Sequence, residues 1–284
     1  MNINLIIPAA GVGQRFTAST GEQSDAPTKV EALLGDQPMF LRSIECFKHR
    51  NDVTRIILAV NPDRMEAFRF AHGDRLGFLG VKVVPGGRRE RWESVLAALD
   101  AVDDDCTHIA VHDAARPLAG MALVDRVFEA AQRHRAVVPG LPVSHTLKRV
   151  VDPEGDTSAK QEDDDPLDAV LGDAGKTRIQ TQLVAETIDR RHLVEVQTPQ
   201  VFEADLLRRA YAAIAGEADV SGVTDDASLV EALGEPVRVV EGEAINMKIT
   251  RSDDLKLAEA YLAASREETA AKSAAKRLFA DEEE

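Results

Sequence analysis

The first half of this chain alternates, with short apolar, β-branched runs separated by segments of helical spacing, and few folds accommodate that order. Residues 4–8, 53–60, 81–84, 108–112 and 136–138 read as strands. Between the first two, residues 38–50 place Pro38 in a first helical turn and Phe40, Leu41, Ile44 and Phe47 on one face. Repeated strand–helix alternation predicts an α/β fold with a mostly parallel sheet covered on both faces. Ligands of such sheets bind beyond the carboxyl ends of the strands. Gly11, Gly86, Gly87 and Asp113 would all emerge at that edge.

The first strand runs into "IIPAAGVGQRF", residues 6–16. Gly11 and Gly13 let the backbone turn tightly and approach a ligand, although a bare G-x-G fits a turn without a ligand equally well. A dinucleotide fingerprint fails in detail, because Phe16 stands where the third glycine should be. The Lys-Ser/Thr ending of a P-loop is missing too. Arg15, and further on Lys29 in "APTKV", instead add two mobile cations to the backbone N–H groups of the turn. That combination suits a triphosphate attacked at its α-phosphorus.

A second constellation is "VHDAARPL", residues 111–118. A strand ending in Asp113 and followed by Arg116 offers a carboxylate for a hard divalent cation and a guanidinium for a phosphate; an ion pair closing a strand end is the plainer reading. His112 reads as a packed residue. Lys248 in "INMKIT" follows another strand-like run and brings a further cation to the same edge.

The net charge of −15 argues against an anionic ligand until its distribution is considered. Residues 152–173 carry −8 and residues 281–284 another −4, leaving −3 for the rest, so a locally positive pocket is compatible with the total. No basic stripe points to nucleic acid. No apolar run approaches membrane-spanning length, and Cys46 and Cys106 have neither metal-ligand spacing nor disulfide density; a cytoplasmic setting is expected. The 284 residues fit one domain over about 1–265 and a helical or disordered tail over 266–284. Within that domain, "SHTLKRVV" and "KTRIQTQLVAETIDRR" read as two strands of a projecting arm, about 142–192, flanking an acidic insert at about 152–175. After "VEVQTPQVF" returns to the core, helices are expected from about 203, after "VTDDAS" and from about 252, with a strand near 237–240.

Taken together, "PAAGVGQRF", "PTKVEALLG", "GGRRERWESV", "VHDAARP", "PVSHTLKRV", "VQTPQVF", "VTDDASLVEALG" and "INMKITRSDDL" resemble, in order and spacing, the 2-C-methyl-D-erythritol 4-phosphate cytidylyltransferase family of the non-mevalonate isoprenoid pathway. The resemblance spans residues 4 to about 262. It implies a Rossmann-like three-layer sandwich whose β-arm makes a homodimer, and an enzyme that transfers CMP from CTP to methylerythritol phosphate with release of pyrophosphate. It also implies Arg15, Lys29 and Lys248 as catalytic residues and Mg²⁺ held by Asp113. The nucleotide would lie against Pro8, Ala9, Ala10, Gly11, Gly13, Gly86, Gly87, Ser94 and Asp113. The erythritol phosphate would meet Asp113, Arg116, Thr198, Thr224 and Lys248, with Thr146 and Arg190 reaching it from the partner subunit.

Two departures stand out. Thr28 occupies the position before the lysine where the family has proline, so Lys29 is placed by counting back from Gly35. The loop "GGRRERWESV" is one residue longer than the pattern, and its Arg88, Arg89 and Arg91 read either as nucleotide contacts or as a solvated face; Trp92 reads as packing. Related alternatives are a cytidylyltransferase for another polyol phosphate such as ribitol 5-phosphate, against which "PAAG" leans, and a nicotinamide-dependent Rossmann oxidoreductase, which Phe16 opposes.

Overall fold

The computed structural model describes residues 1–11, 28–152, 181–214 and 222–265. Gly13, Arg15 and Phe16, most of the acidic insert and the tail lie outside the described residues. The chain divides into two compact units, one formed by Met1–Leu141 with Val196–Glu284 and the other by Pro142–Glu195.

The larger unit is built on the sheet that the alternation predicts. Its central strand, β1 (Ile3–Ala9), is nearly solvent-free along its length, as a parallel strand covered on both faces must be. Two small strands, β2 (Leu33–Leu34) and β3 (Gln37–Pro38), form a separate hairpin. The sheet continues with β4 (Val53–Val60), β5 (Val81–Pro85) and β6 (His108–Val111), then β7 (Ala136–Pro142). β1 pairs in parallel with β4 on one side and β6 on the other, and β5 extends the β4 side in parallel. The chain therefore reverses its direction of travel across the sheet at β1, a switch point that leaves a crevice at the carboxyl ends of β1 and β6.

Helices fill both faces. β1 alternates with period two: Ile3, Leu5 and Ile7 join one core with Phe40, Leu41, Ile44 and Phe47, whereas Ile6 joins a second with Val95 and Ala98. The first core is covered by α1 (Met39–Glu45), α2 (Met65–Phe78) and α4 (Met121–Ala131). The second is covered by α3 (Arg91–Leu99), α5 (Ala204–Ile214) and α6 (Asp226–Ala232). The result is a three-layer α/β/α arrangement, and among the described residues no helix is long and apolar enough to cross a membrane.

Three features differ from the sequence expectation. The helix expected over 38–50 is α-helical only over Met39–Glu45, with Pro38 as its N-cap. The segment after "VQTP" becomes β11 (Gln200–Glu203), which enters antiparallel between β6 and β7; β12 (Arg238–Glu241), parallel on β7, is by contrast the strand expected near 237–240. The run before Lys248, read as strand-like, is irregular from 242 onward and leads to the last helix, α7 (residues 252–265). It is irregular because Ile249 and Asn246 are both fully buried, Ile249 with Leu34, Met39 and Leu118, so the backbone follows its anchors and not a ladder.

In the smaller unit, β8 (Leu147–Val151) pairs antiparallel with β9 (Leu183–Ile188) as a sheet of their own; β10 (Val194–Val196), at the boundary of the two units, belongs to the main sheet. The pairing of the two arm strands matches the sequence reading. Val150, Val151, Leu183 and Val184 are 42–59% exposed on this two-stranded ribbon.

Candidate active site

At the switch point the chain opens a cleft lined by Pro8 to Gly11, Lys29, Val30, Gly87 to Arg91, Ser94, Asp113 to Ala115 and Lys248. Five of these residues are cationic (Lys29, Arg88, Arg89, Arg91 and Lys248) and two are carboxylates, Glu90 and Asp113. A chain with a strongly negative total therefore presents a positive cleft.

Each side chain has a local reason for its place. β1 ends at Ala9, and no atom of the described residues lies within 4 Å of a hypothetical Cβ on Gly11. Gly86 and Gly87 have no such room. A Cβ on Gly86 would come within 2.9 Å of Ala10 Cβ, and one on Gly87 within 2.2 Å of Glu93 Cβ. This close approach lets the Gly87 N–H reach the Ser94 hydroxyl oxygen at 3.0 Å, while the Glu93 carboxylate accepts the Arg88 and Arg89 N–H groups. The loop is thus folded down onto the first turn of α3.

Asp113 follows β6 and is almost fully buried. Its Oδ1 accepts from Arg91 Nε at 2.7 Å, and its Oδ2 lies 2.8 Å from Lys248 Nζ and 3.8 Å from Arg116 Nε. Burial works against the carboxylate charge, but Arg91, Lys248 and Arg116 outweigh it and hold the Asp113 carboxyl well below the usual carboxylate range. Arg91 is opposed by burial in the same way and raised by Asp226 and Asp113. Behind the cleft, Asp226 accepts from Arg91 Nη1 at 2.6 Å and from the Tyr211 hydroxyl at 2.5 Å.

His112 settles into a supporting role. Its Nε2 is 3.0 Å from the Arg116 carbonyl oxygen, which can only accept, so Nε2 carries the proton. Nδ1 then accepts the Thr198 hydroxyl proton at 3.1 Å, and the Thr198 oxygen in turn accepts the Asp113 N–H at 3.0 Å. Burial lowers the His112 pKa to about 4, which keeps the ring neutral and this chain of donors in one order.

Lys29 opens a short 3-10 turn (Lys29–Glu31) and donates to the Ile249 carbonyl oxygen at 3.0 Å, next to Lys248. Arg116 donates to the Asn246 carbonyl oxygen at 2.7 Å, which ties the strand-end arginine to the same irregular segment.

Of the residues read from the sequence, Pro8, Ala9, Ala10, Gly11, Lys29, Gly87, Ser94, Asp113 and Lys248 line one cleft; Gly86 packs beneath it, and Arg116 and Thr198 hold Asp113. Thr224 is exposed just before α6 and is not part of the lining. Gly13 and Arg15 fall in the undescribed stretch. In the smaller unit, Thr146 precedes β8 and Arg190 follows β9, at the end of the ribbon where Leu147 faces Ile188; the Arg190 guanidinium donates to the Ser144 carbonyl oxygen. Sequence reasoning did not single out Arg91 from Arg88 and Arg89, and it missed the partners Asp226 and Tyr211. The available signal was an arginine placed three residues before Ser94, hidden by two arginines just upstream.

A cleft that gathers cations around one buried carboxylate handles polyphosphate by charge and position. Together with the surrounding α/β sheet, it defines a nucleotidyltransferase. More specifically, the chain belongs to the 2-C-methyl-D-erythritol 4-phosphate cytidylyltransferase family, whose model matches residues 3–170 and 167–264. It is 37% identical over 278 residues to the enzyme of that name from Rhodopirellula baltica, covering 94% of this chain and 97% of the relative. It is 40% identical over 260 residues to that from Frankia casuarinae, covering 91% and 80%. The crystal structure of the Thermus thermophilus enzyme superposes with a TM-score of 0.66 at 32% identity, covering 92% of this chain and 99% of that one. Neither the ribitol phosphate nor the nicotinamide alternative is favoured by these relatives.

Proposed function

We propose that this cleft transfers CMP from CTP to 2-C-methyl-D-erythritol 4-phosphate, with the residues above in the following roles. The nucleotide lies over the turn from Pro8 to Gly13 and against Gly86, Gly87 and Ser94, and its phosphates face Lys29, Arg15 and Lys248. The attacking phosphate monoester has a second pKa of about 6, so at neutral pH it arrives largely ionised and needs no general base. The task left to the protein is to hold two anions together and relieve their repulsion as phosphorus becomes five-coordinate. Lys29 and Arg15 serve the reacting phosphates. Arg116, Thr198, Thr224 and Lys248 serve the erythritol phosphate.

Magnesium fits the donor set in one way. Each Asp113 oxygen meets a cation but keeps a second lone pair, and Mg²⁺ is commonly held by one or two carboxylates plus substrate phosphates and water. Among the described residues no group of three or more His, Cys, Asp or Glu could cage a metal, which favours an ion that arrives with the triphosphate. Asp113 is the residue that would hold it, and the ion would supply further charge neutralisation between the phosphates. Asp113, kept ionised by Arg91, Lys248 and Arg116, is ready for that role throughout the physiological pH range.

The arm carries the second half of the proposal. A two-stranded ribbon with exposed valines and leucine, whose edges are unpaired among the described residues, is a liability unless covered, and a two-fold copy of the same ribbon covers it. In such a homodimer Thr146 and Arg190 serve the partner's erythritol phosphate site. A soluble cytoplasmic enzyme is the setting that accords with two free cysteines.

The observation that carries the reading is the cationic cleft around Asp113. Lys29→Ala, assayed for pyrophosphate release, is expected to lower turnover at least about a hundredfold in a folded protein; near-normal turnover would reject the role of Lys29. For the arm, mixing inactive Lys29→Ala and Arg190→Ala chains under subunit exchange should restore activity, because the mixed dimer has one intact site. No recovery after demonstrated exchange would reject the shared site.

A further inference from the structure

The turn that presents Lys29 is locked by a carboxylate from its own last residue. Glu31 Oε2 accepts both the Thr28 N–H and the Thr28 hydroxyl, each at 2.8 Å, while the Glu31 N–H returns to the Thr28 carbonyl oxygen at 2.8 Å. The other carboxylate oxygen is 3.4 Å from His72 Nε2 on α2, and Arg64 approaches Oε2 at 3.7 Å. His72 is itself fixed edge-on against Phe40, a fully buried ring. Glu31 thus ties the turn's entry to the helical layer. The lysine lies between its two anchor points, and its Nζ is placed on the Ile249 carbonyl oxygen.

We propose that Thr28 and Glu31 are positioning residues for Lys29: their reciprocal bonds fix the backbone from which the lysine side chain departs. This rests on the catalytic role given to Lys29 above. A lysine side chain is long and has several rotatable bonds, so a small swing at its backbone displaces the ammonium by about an ångström or more. Misplacement on that scale can cost about a hundredfold in rate. Thr28 and Glu31 act through the lysine and not by touching substrate.

The backbone at Thr28 supplies a direct test. Its φ is −63°, the value that a proline ring fixes covalently without any hydrogen bond, and its ψ of 159° lies in the polyproline range open to proline. Thr28→Pro therefore replaces the Glu31 lock by a covalent one, at the expense of the Thr28 N–H.

The experiment measures kcat and KM for pyrophosphate release, with thermal unfolding, in wild type, Glu31→Ala, Glu31→Gln, Thr28→Pro and Thr28→Pro/Glu31→Ala. Glu31→Ala is expected to lower kcat about tenfold or more with little change in KM for CTP. Glu31→Gln should recover most of the loss, because an amide oxygen can still accept the Thr28 N–H in this box. In the Thr28→Pro background Glu31→Ala should change kcat less than about twofold. The proposal is overturned if Glu31→Ala keeps wild-type kcat, if it lowers only the unfolding temperature, or if its effect is undiminished in the Thr28→Pro background. An inactive wild type would instead reject the functional reading itself, and with it the role of Lys29 on which the proposal rests.

Discussion

The guanidinium of Arg91 is fixed from behind the cleft by Asp226, whose Oδ2 lies 2.6 Å from Arg91 Nη1 in a side chain with no solvent exposure. The same guanidinium reaches forward to Asp113, so one arginine joins a core carboxylate to the carboxylate at the centre of the cleft. Arg91→Ala removes the partner of a buried charge, which typically costs about 3–5 kcal/mol. Urea unfolding should show a loss on that scale. Arg91→Met with Asp226→Leu should regain part of the stability while turnover stays low, because Asp113 has lost its Nε donor. Full recovery of turnover in the double variant would show that Arg91 serves only the core.

Acid stability should carry the signature of His112. In the native chain burial holds this ring neutral until about pH 4, whereas an unfolded histidine takes up its proton near 6.5. Stability is therefore fully present above about pH 7 and falls as the pH drops through that window, because the unfolded state binds the extra proton. The loss from this residue is about 3 kcal/mol when complete. His108, also depressed by burial, adds to it in the same direction. Urea melts between about pH 8 and 4.5 should show a shallower decline in His112→Gln than in wild type; parallel profiles would contradict the assignment.

The glycines of the cleft should separate into two kinds. Gly87→Ala places a methyl group where Glu93 already stands, and overpacking of this sort costs about 1–3 kcal/mol. Gly11→Ala meets no atom of the described residues within 4 Å and should alter stability by less than about 0.5 kcal/mol. Yet Gly11 lines the cleft, so its variant should bind CTP more weakly by calorimetric titration because a methyl blocks close approach to the backbone. Unchanged CTP affinity in Gly11→Ala would move the nucleotide away from the first turn.

The sequence reading located strands well where apolar runs are buried on both faces, as at β1 and β4, since the pattern there leaves little choice. Strand direction was less legible. "QVF" has the same composition whether it runs with β6 or against it, and the structure sets it antiparallel to both β6 and β7. "INMKIT" has the texture of a strand, but its buried Ile249 and Asn246 are anchored by tertiary contacts that no periodicity reveals. In the cleft, Asp113 was legible from its place just after β6, and Lys248 from its company. The role of Arg91 was not, because its partner Asp226 is 135 positions away and a charged pair at that distance leaves no local mark.

Which two substrates the cleft joins can be read from pyrophosphate release by the purified chain with Mg²⁺, using each of the four nucleoside triphosphates against 2-C-methyl-D-erythritol 4-phosphate and against ribitol 5-phosphate. Efficient release is expected only for CTP with methylerythritol phosphate, with the cytidylyl product formed in equal amount. Faster turnover with ribitol 5-phosphate, a preference for another triphosphate, or no release from any pair would contradict that reading of the cleft.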